Sequence, residues 1–185
     1  NKFTQQSGAN ELTLDNETAY EAAVFLHDNF KINDKLSLMA GLRYSWYSKI
    51  GSATVNTYLP NMPLNVNTVN GKKQYADGEF IKPYSGFEPR VGLKYSITNS
   101  ASVKFGYNIT RQYQHLISNS SLSTPADYWK ASDEFVKPLF SSIYSAGVFK
   151  NFLGDIVETS AEVYYKTTNN IIDYKQGALI YMNPA

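Results

Sequence analysis

The sequence predicts an all-β protein, an antiparallel sheet of the transmembrane β-barrel kind. Three observations predict it. Segments of strand length alternate apolar and polar residues, the charges gather on one of the two faces, and short turns alternate with long loops. Successive side chains on a strand point to opposite faces, so alternation resolves each strand into an inner and an outer surface.

The clearest strand is Leu36 to Tyr47. One face reads Leu36, Leu38, Ala40, Leu42, Tyr44 and Trp46; the other reads Ser37, Met39, Gly41, Arg43, Ser45 and Tyr47. The apolar face turns aromatic toward one end. That pattern fits a lipid-facing surface ending in an interfacial aromatic girdle, although a half-buried strand of a soluble sandwich alternates in the same way. Repetition along the chain favours the membrane.

Residues 1–16 are polar and irregular. The first strand spans about Thr18–Phe30, with Tyr20, Ala22, Val24 and Leu26 on the lipid side and Glu21, Ala23, Phe25, His27 and Asn29 inside. Ile32 to Lys35 turns the chain, with Asn33 and Asp34 supplying the turn chemistry. Residues 49–86 break the pattern. They carry Pro60, Pro63 and Pro83 and several glycines, and they read as a long extracellular loop.

A third strand runs from about Phe87 to Ile97, setting Val91, Leu93, Tyr95 and Ile97 against Arg90, Gly92, Lys94 and Ser96. After the turn at Thr98–Ser100, the fourth strand spans about Ala101–Tyr113. It sets Val103, Phe105, Tyr107 and Ile109 outside and Ser102, Lys104, Gly106, Asn108 and Thr110 inside. A second extracellular loop covers about 114–138. The fifth strand, Ser142–Phe152, is less regular, and the sixth, Val157–Lys166, is clean. Glu21, Arg43, Arg90, Lys94, Lys104, Glu158 and Glu162 all fall on the inner face. A dry sandwich core would reject them.

The totals agree with this reading. The chain has 185 residues, a net charge of +1, 43 % hydrophobic residues, fifteen Tyr and ten Phe, and no cysteine. Near-neutral charge gives no reason to expect nucleic acid, and the missing cysteines exclude disulfides and thiolate metal sites. No apolar run approaches the roughly 18 residues of a membrane helix. Neither terminus resembles a natural end: there is no signal peptide, and both read as cuts through a longer chain. Six strands fall short of the roughly eight in the smallest membrane barrels, so the rest of the wall is expected from elsewhere.

Several segments together resemble the barrel of TonB-dependent outer membrane receptors, in particular those of Bacteroidetes. They are Gly78-Glu-Phe-Ile81, Gly86-Phe-Glu-Pro-Arg90 with Val91 to Tyr95, Tyr113 to Asn119, Ser123 to Trp129, and Glu162 to Lys166 followed by Asn169 to Tyr174. The likeness spans about Glu17 to Ala178. It implies a bacterial outer-membrane location and a barrel of about 22 strands, filled by a plug domain that this sequence lacks. It also implies energy-dependent nutrient uptake driven by the TonB complex through that missing part, and possible capping by a surface lipoprotein. A passive porin is the alternative function, and a soluble all-β interaction module the second.

No catalytic, cofactor or metal site is expected. Glu158 and Glu162 stand roughly 13 Å apart along one strand, too far for a glycosidase pair. His27 and His115 are unclustered. Asp127, Asp133 and Glu134 lack the spacing of a calcium loop. The candidate ligand contacts are the aromatic and acidic residues of the second loop: Tyr113, His115, Asp127, Tyr128 and Trp129. On the strand from Leu36, an arginine at Leu42 is expected to harm insertion and one at Ser45 to be tolerated.

Overall fold

The computed structural model describes residues 17–117, 128–154 and 156–173. Six long strands form one antiparallel sheet: β1 (Thr18–Lys31), β2 (Leu36–Ile50), β5 (Phe80–Thr98), β6 (Ala101–Gln112), β9 (Leu139–Phe152) and β10 (Val157–Asn169). Their order in the sheet is their order along the chain. Two small hairpins sit between them, β3 (Ala53–Tyr58) with β4 (Val69–Tyr75) and β7 (Gln114–Ile117) with β8 (Tyr128–Ala131).

The register fixes the faces. Leu42 stands opposite Leu26 on one side and Pro89 on the other, while Arg43 stands between Phe25 and Glu88. Lys94 faces Lys104, and Lys104 and Glu162 both face Gly147. Directly paired residues share a face, so all seven charges assigned to one side lie on one side. The other side is apolar and largely bare: Leu26 is 79 % exposed and Val163 70 %. No layer covers it among the described residues, as a surface meeting lipid requires.

An aromatic belt crosses the apolar face near the loop end. Tyr20 meets Trp46 at 5.7 Å, Trp46 meets Phe80 at 5.2 Å, and Tyr44 meets Phe87 at 5.0 Å. Tyr107 and Tyr144 continue it at 4.7 Å. At the opposite end, Asn33 Oδ1 accepts the backbone N–H groups of Lys35 and Leu36, both at 2.9 Å, which fixes the tight β1–β2 turn.

Two expectations about the loops change. Residues 49–86 are not an irregular stretch: they contain the β3–β4 hairpin, and β5 begins at Phe80 rather than near Phe87. The hairpin strands are polar on both sides, so alternation gives no signal for them. The early part of β5 holds Pro83 and Pro89, which argue against a strand paired on both sides. There, β5 pairs with β2 alone. Its pairing with β6 ends at Arg90–Asn108, although β5 continues to Phe80 and β6 to Gln112. Prolines occupy the half of β5 that is an edge.

Candidate functional site

The site grows from that branch. Beyond Asn108, the chain leaves β5 and turns across the charged face of the β2–β5 pair. Positions 103, 105, 107 and 109 belong to the apolar face, and the next two in the series, Arg111 and Tyr113, come to rest on the charged face instead. A Cβ at Gly86, which pairs with Ser45, would collide with the Arg111 guanidinium. Arg111 Nη1 donates to the Phe87 carbonyl at 2.6 Å. Gly86 is needed for this close approach. The Tyr113 ring stacks on Tyr47, 4.7 Å between centroids and 1° between planes. The wall at the loop end is therefore two layers thick.

A polar chain joins the layers. Ser45 Oγ donates to Glu88 Oε1 at 2.6 Å, which leaves the Tyr113 hydroxyl as the donor to Ser45 Oγ at 2.7 Å. Glu88 is 1 % exposed, and its other oxygen takes Arg43 Nη1 at 3.4 Å, while Arg43 Nη2 reaches Glu21 at 3.1 Å. The Tyr47 hydroxyl donates to the Ser132 carbonyl at 3.1 Å and the Tyr84 hydroxyl to the Asp133 carbonyl at 2.7 Å. A tyrosine that buries its ring and bonds its hydroxyl satisfies both halves of its chemistry.

Four charges close the far edge. Glu17 accepts Lys49 Nζ at 2.6 Å, Lys130 Nζ at 2.5 Å and the Ala131 N–H at 2.6 Å. Asp133 pairs with Lys130 at 3.1 Å and with Lys49 at 3.6 Å. Burial alone would raise the Glu17 and Asp133 carboxyls, but the ammonium groups and backbone N–H donors outweigh it and hold both below the usual range. Burial alone would lower Lys130; its two carboxylate partners raise it instead.

The sequence-derived candidates divide. Tyr113 and His115 are each 3 % exposed and face the wall, with His115 Nε2 3.2 Å from Ser132 Oγ. Burial lowers the His115 pKa. Trp129 points the other way, 62 % exposed, and borders a shallow cleft of about 290 Å³ with Glu21, Arg111, Gln112 and Gln114. Asp127 lies outside the described residues, and β8 begins at Tyr128. Asp133 has no oxygen free for calcium, since Oδ1 takes the Phe135 and Val136 N–H groups and Oδ2 the lysines. No cluster of three metal-ligating side chains occurs among the described residues.

Ser45 also departs from expectation. It lies fully buried under Tyr113, so an arginine there would displace the second layer rather than enter open lumen. Glu17, Lys49, Glu88, Arg111 and Lys130 carry no local signal of their role. Glu17 and Lys130 are 113 residues apart, and only the folding of β8 onto β2 joins them.

Residues 1–184 match the family model described as TonB dependent receptor-like, beta-barrel. No curated protein and no solved structure matches the chain.

Proposed function

Because the chain belongs to the TonB-dependent receptor β-barrel family, a family of outer-membrane receptors and transporters in Gram-negative bacteria, we propose that it forms part of the wall of an energy-dependent nutrient importer. Its apolar face meets lipid and its charged face lines the lumen. The loop end is extracellular, and the long loops at about 49–86 and 114–138 capture the nutrient there. The open edges of β1 and β10 pair with further strands of the same receptor, since unpaired backbone is costly in lipid. A plug domain fills the lumen and relays energy from the TonB complex. The order of the segments from Gly78 to Tyr174 in the sequence supports the Bacteroidetes kind, in which a surface lipoprotein can cap the barrel.

The observation that supports this reading best is the second layer at the loop end. Trp129 and Leu116 are exposed on it and Gln112 and Gln114 border the same cleft, which supports reading them as contacts for an entering solute, while the buried Tyr113 and His115 hold the hairpin in place. The experiment is nutrient uptake by cells carrying the intact receptor with residues 114–138 replaced by a short turn. Loss of binding with the barrel still inserted is expected. Undiminished binding and uptake in this variant, and in one that also lacks residues 51–79 between β2 and β5, overturns it.

A further inference from the structure

Lys94 and Lys104 stand directly opposite each other in the β5–β6 register. Like charges in that position repel, so the pairing is unfavourable unless something negative meets both. The same row carries Lys31 on β1, reached through Ser37, and Glu162 on β10, reached through Gly147. Arg90 lies two inner-face positions farther along β5, across Gly92.

Charge is handled differently at the two ends of this face. Toward the loops, Glu21, Arg43 and Glu88 form one ion-pair network, and Glu17, Lys49, Lys130 and Asp133 form another. Toward the short turns, Lys31 pairs with Asp34 at 2.8 Å, but Arg90, Lys94 and Lys104 have no carboxylate partner among the described residues. Between the Glu21 and Glu88 positions and those turns, the inner face of β1, β2, β5 and β6 carries no Asp or Glu. Glu162 is the acid of the same row. It lies across Gly147 beside the Phe149 ring, and Lys104 Nζ rests 4.0 Å from the centre of that ring rather than on the carboxylate.

A shallow cleft of about 400 Å³ opens at this row, bordered by Lys31, Lys94 and Lys104 together with Met39 and Gly92. Gly92 adds no side chain, and Met39 Cε lies over it, so the ammonium groups surround an apolar patch. The volume suits a small molecule. We propose that the row is a binding station for a small organic anion, one that carries two or more carboxylate or phosphate groups on an apolar body. Lys94 and Lys104 hold the anionic groups, which supply the counter-charge that the wall lacks, and Met39 receives the body. Arg90 extends the positive field toward the loop end, so that an anion entering there is drawn along the wall. The inference rests on the barrel reading for what counts as lumen. It adds a contact for a solute beyond the loop end and independent of Trp129.

The test uses the intact receptor, purified in detergent at low ionic strength. The probe is benzene-1,3,5-tricarboxylate, with its uncharged triamide as the control. Acylation of each lysine by an amine-reactive ester is followed by peptide mass spectrometry. The tricarboxylate is expected to slow labelling of Lys94 and Lys104 about fivefold and to leave Lys72, on the β3–β4 hairpin, unchanged. The triamide is expected to protect neither, and Lys94→Gln to abolish the protection of Lys104. Equal labelling of Lys94 and Lys104 with and without the tricarboxylate overturns the proposal. Equal slowing at Lys72 also overturns it, because it marks unspecific attraction. Slow labelling of both row lysines before any anion is added, with no further slowing on its addition, assigns the row to carboxylates of the receptor itself and overturns it too. The readout needs no transport, so a receptor that imports nothing can still pass, and a working importer can still fail.

Discussion

The rings of Tyr47 and Tyr113 lie parallel, 4.7 Å apart, although one belongs to the wall and the other to the segment entering the second loop. Their hydroxyls point to different layers' polar groups, Tyr47 to the Ser132 carbonyl and Tyr113 to Ser45. This one contact sets the angle at which the hairpin meets the wall. Most consequences of the structure can be tested around it.

Tyr113→Phe keeps the stacked ring and removes the donor to Ser45. The expected loss is about 1 kcal/mol of hairpin docking, the net worth of one hydrogen bond. Tyr113→Ala removes a buried ring as well and is expected to cost about 3 kcal/mol. Hydrogen exchange of the β7 and β8 amides measures both. Equal protection in the two variants would show that the ring contributes nothing.

Lys49→Met removes one ammonium from a cluster of two acids and two bases, at a site where Lys49 is 9 % exposed. Breaking one partner of a buried ionic group leaves the others undercompensated. With water reaching part of this cluster, the expected cost is about 2 kcal/mol, below the values for fully enclosed pairs. Trypsin nicking between residues 128 and 138 reports it.

Acid should loosen the hairpin in two stages. The His115 pKa is lowered in the docked hairpin, so the free segment binds a proton first and docking weakens as pH falls below about 6.5. Glu17 and Asp133 are also depressed; their contribution is complete above the ordinary carboxylate range and lost as pH falls through their lower docked values. Lys130 is raised, so its contribution is lost only in strong alkali. Exchange of the Ala131 amide against pH follows this profile, and His115→Gln removes the first stage alone.

Leu42→Arg places a charge on the lipid face and is expected to cost about 2 kcal/mol of insertion, less than at the midplane because the aromatic belt is near. Met39→Arg, on the charged face and 38 % exposed, is the matched control and should insert normally. Ser45→Arg is expected to insert but to lose hairpin protection, since Ser45 lies between Glu88 and Tyr113. Heat-modified mobility on gels separates insertion from docking.

The strands and their faces were legible in the chain because side-chain direction in a strand depends only on position parity. Leu36 to Trp46 declares its two surfaces without reference to any partner, and Asn33 marks its turn locally. Short turns pair β1 with β2, β5 with β6 and β9 with β10, while β2 reaches β5 and β6 reaches β9 across the long loops. The site was not legible, because its contacts join distant segments where β6 parts from β5. Nothing in Arg111 or Tyr113 announces that the strand carrying them abandons β5, and Pro83 and Pro89 read as loop residues until the missing partner explains them. Glu17 meets Lys130 only because the hairpin folds across β2. Alternation is a local property and fixes the wall; the second layer is decided by ring stacking and buried charge that exist only once the chain is folded.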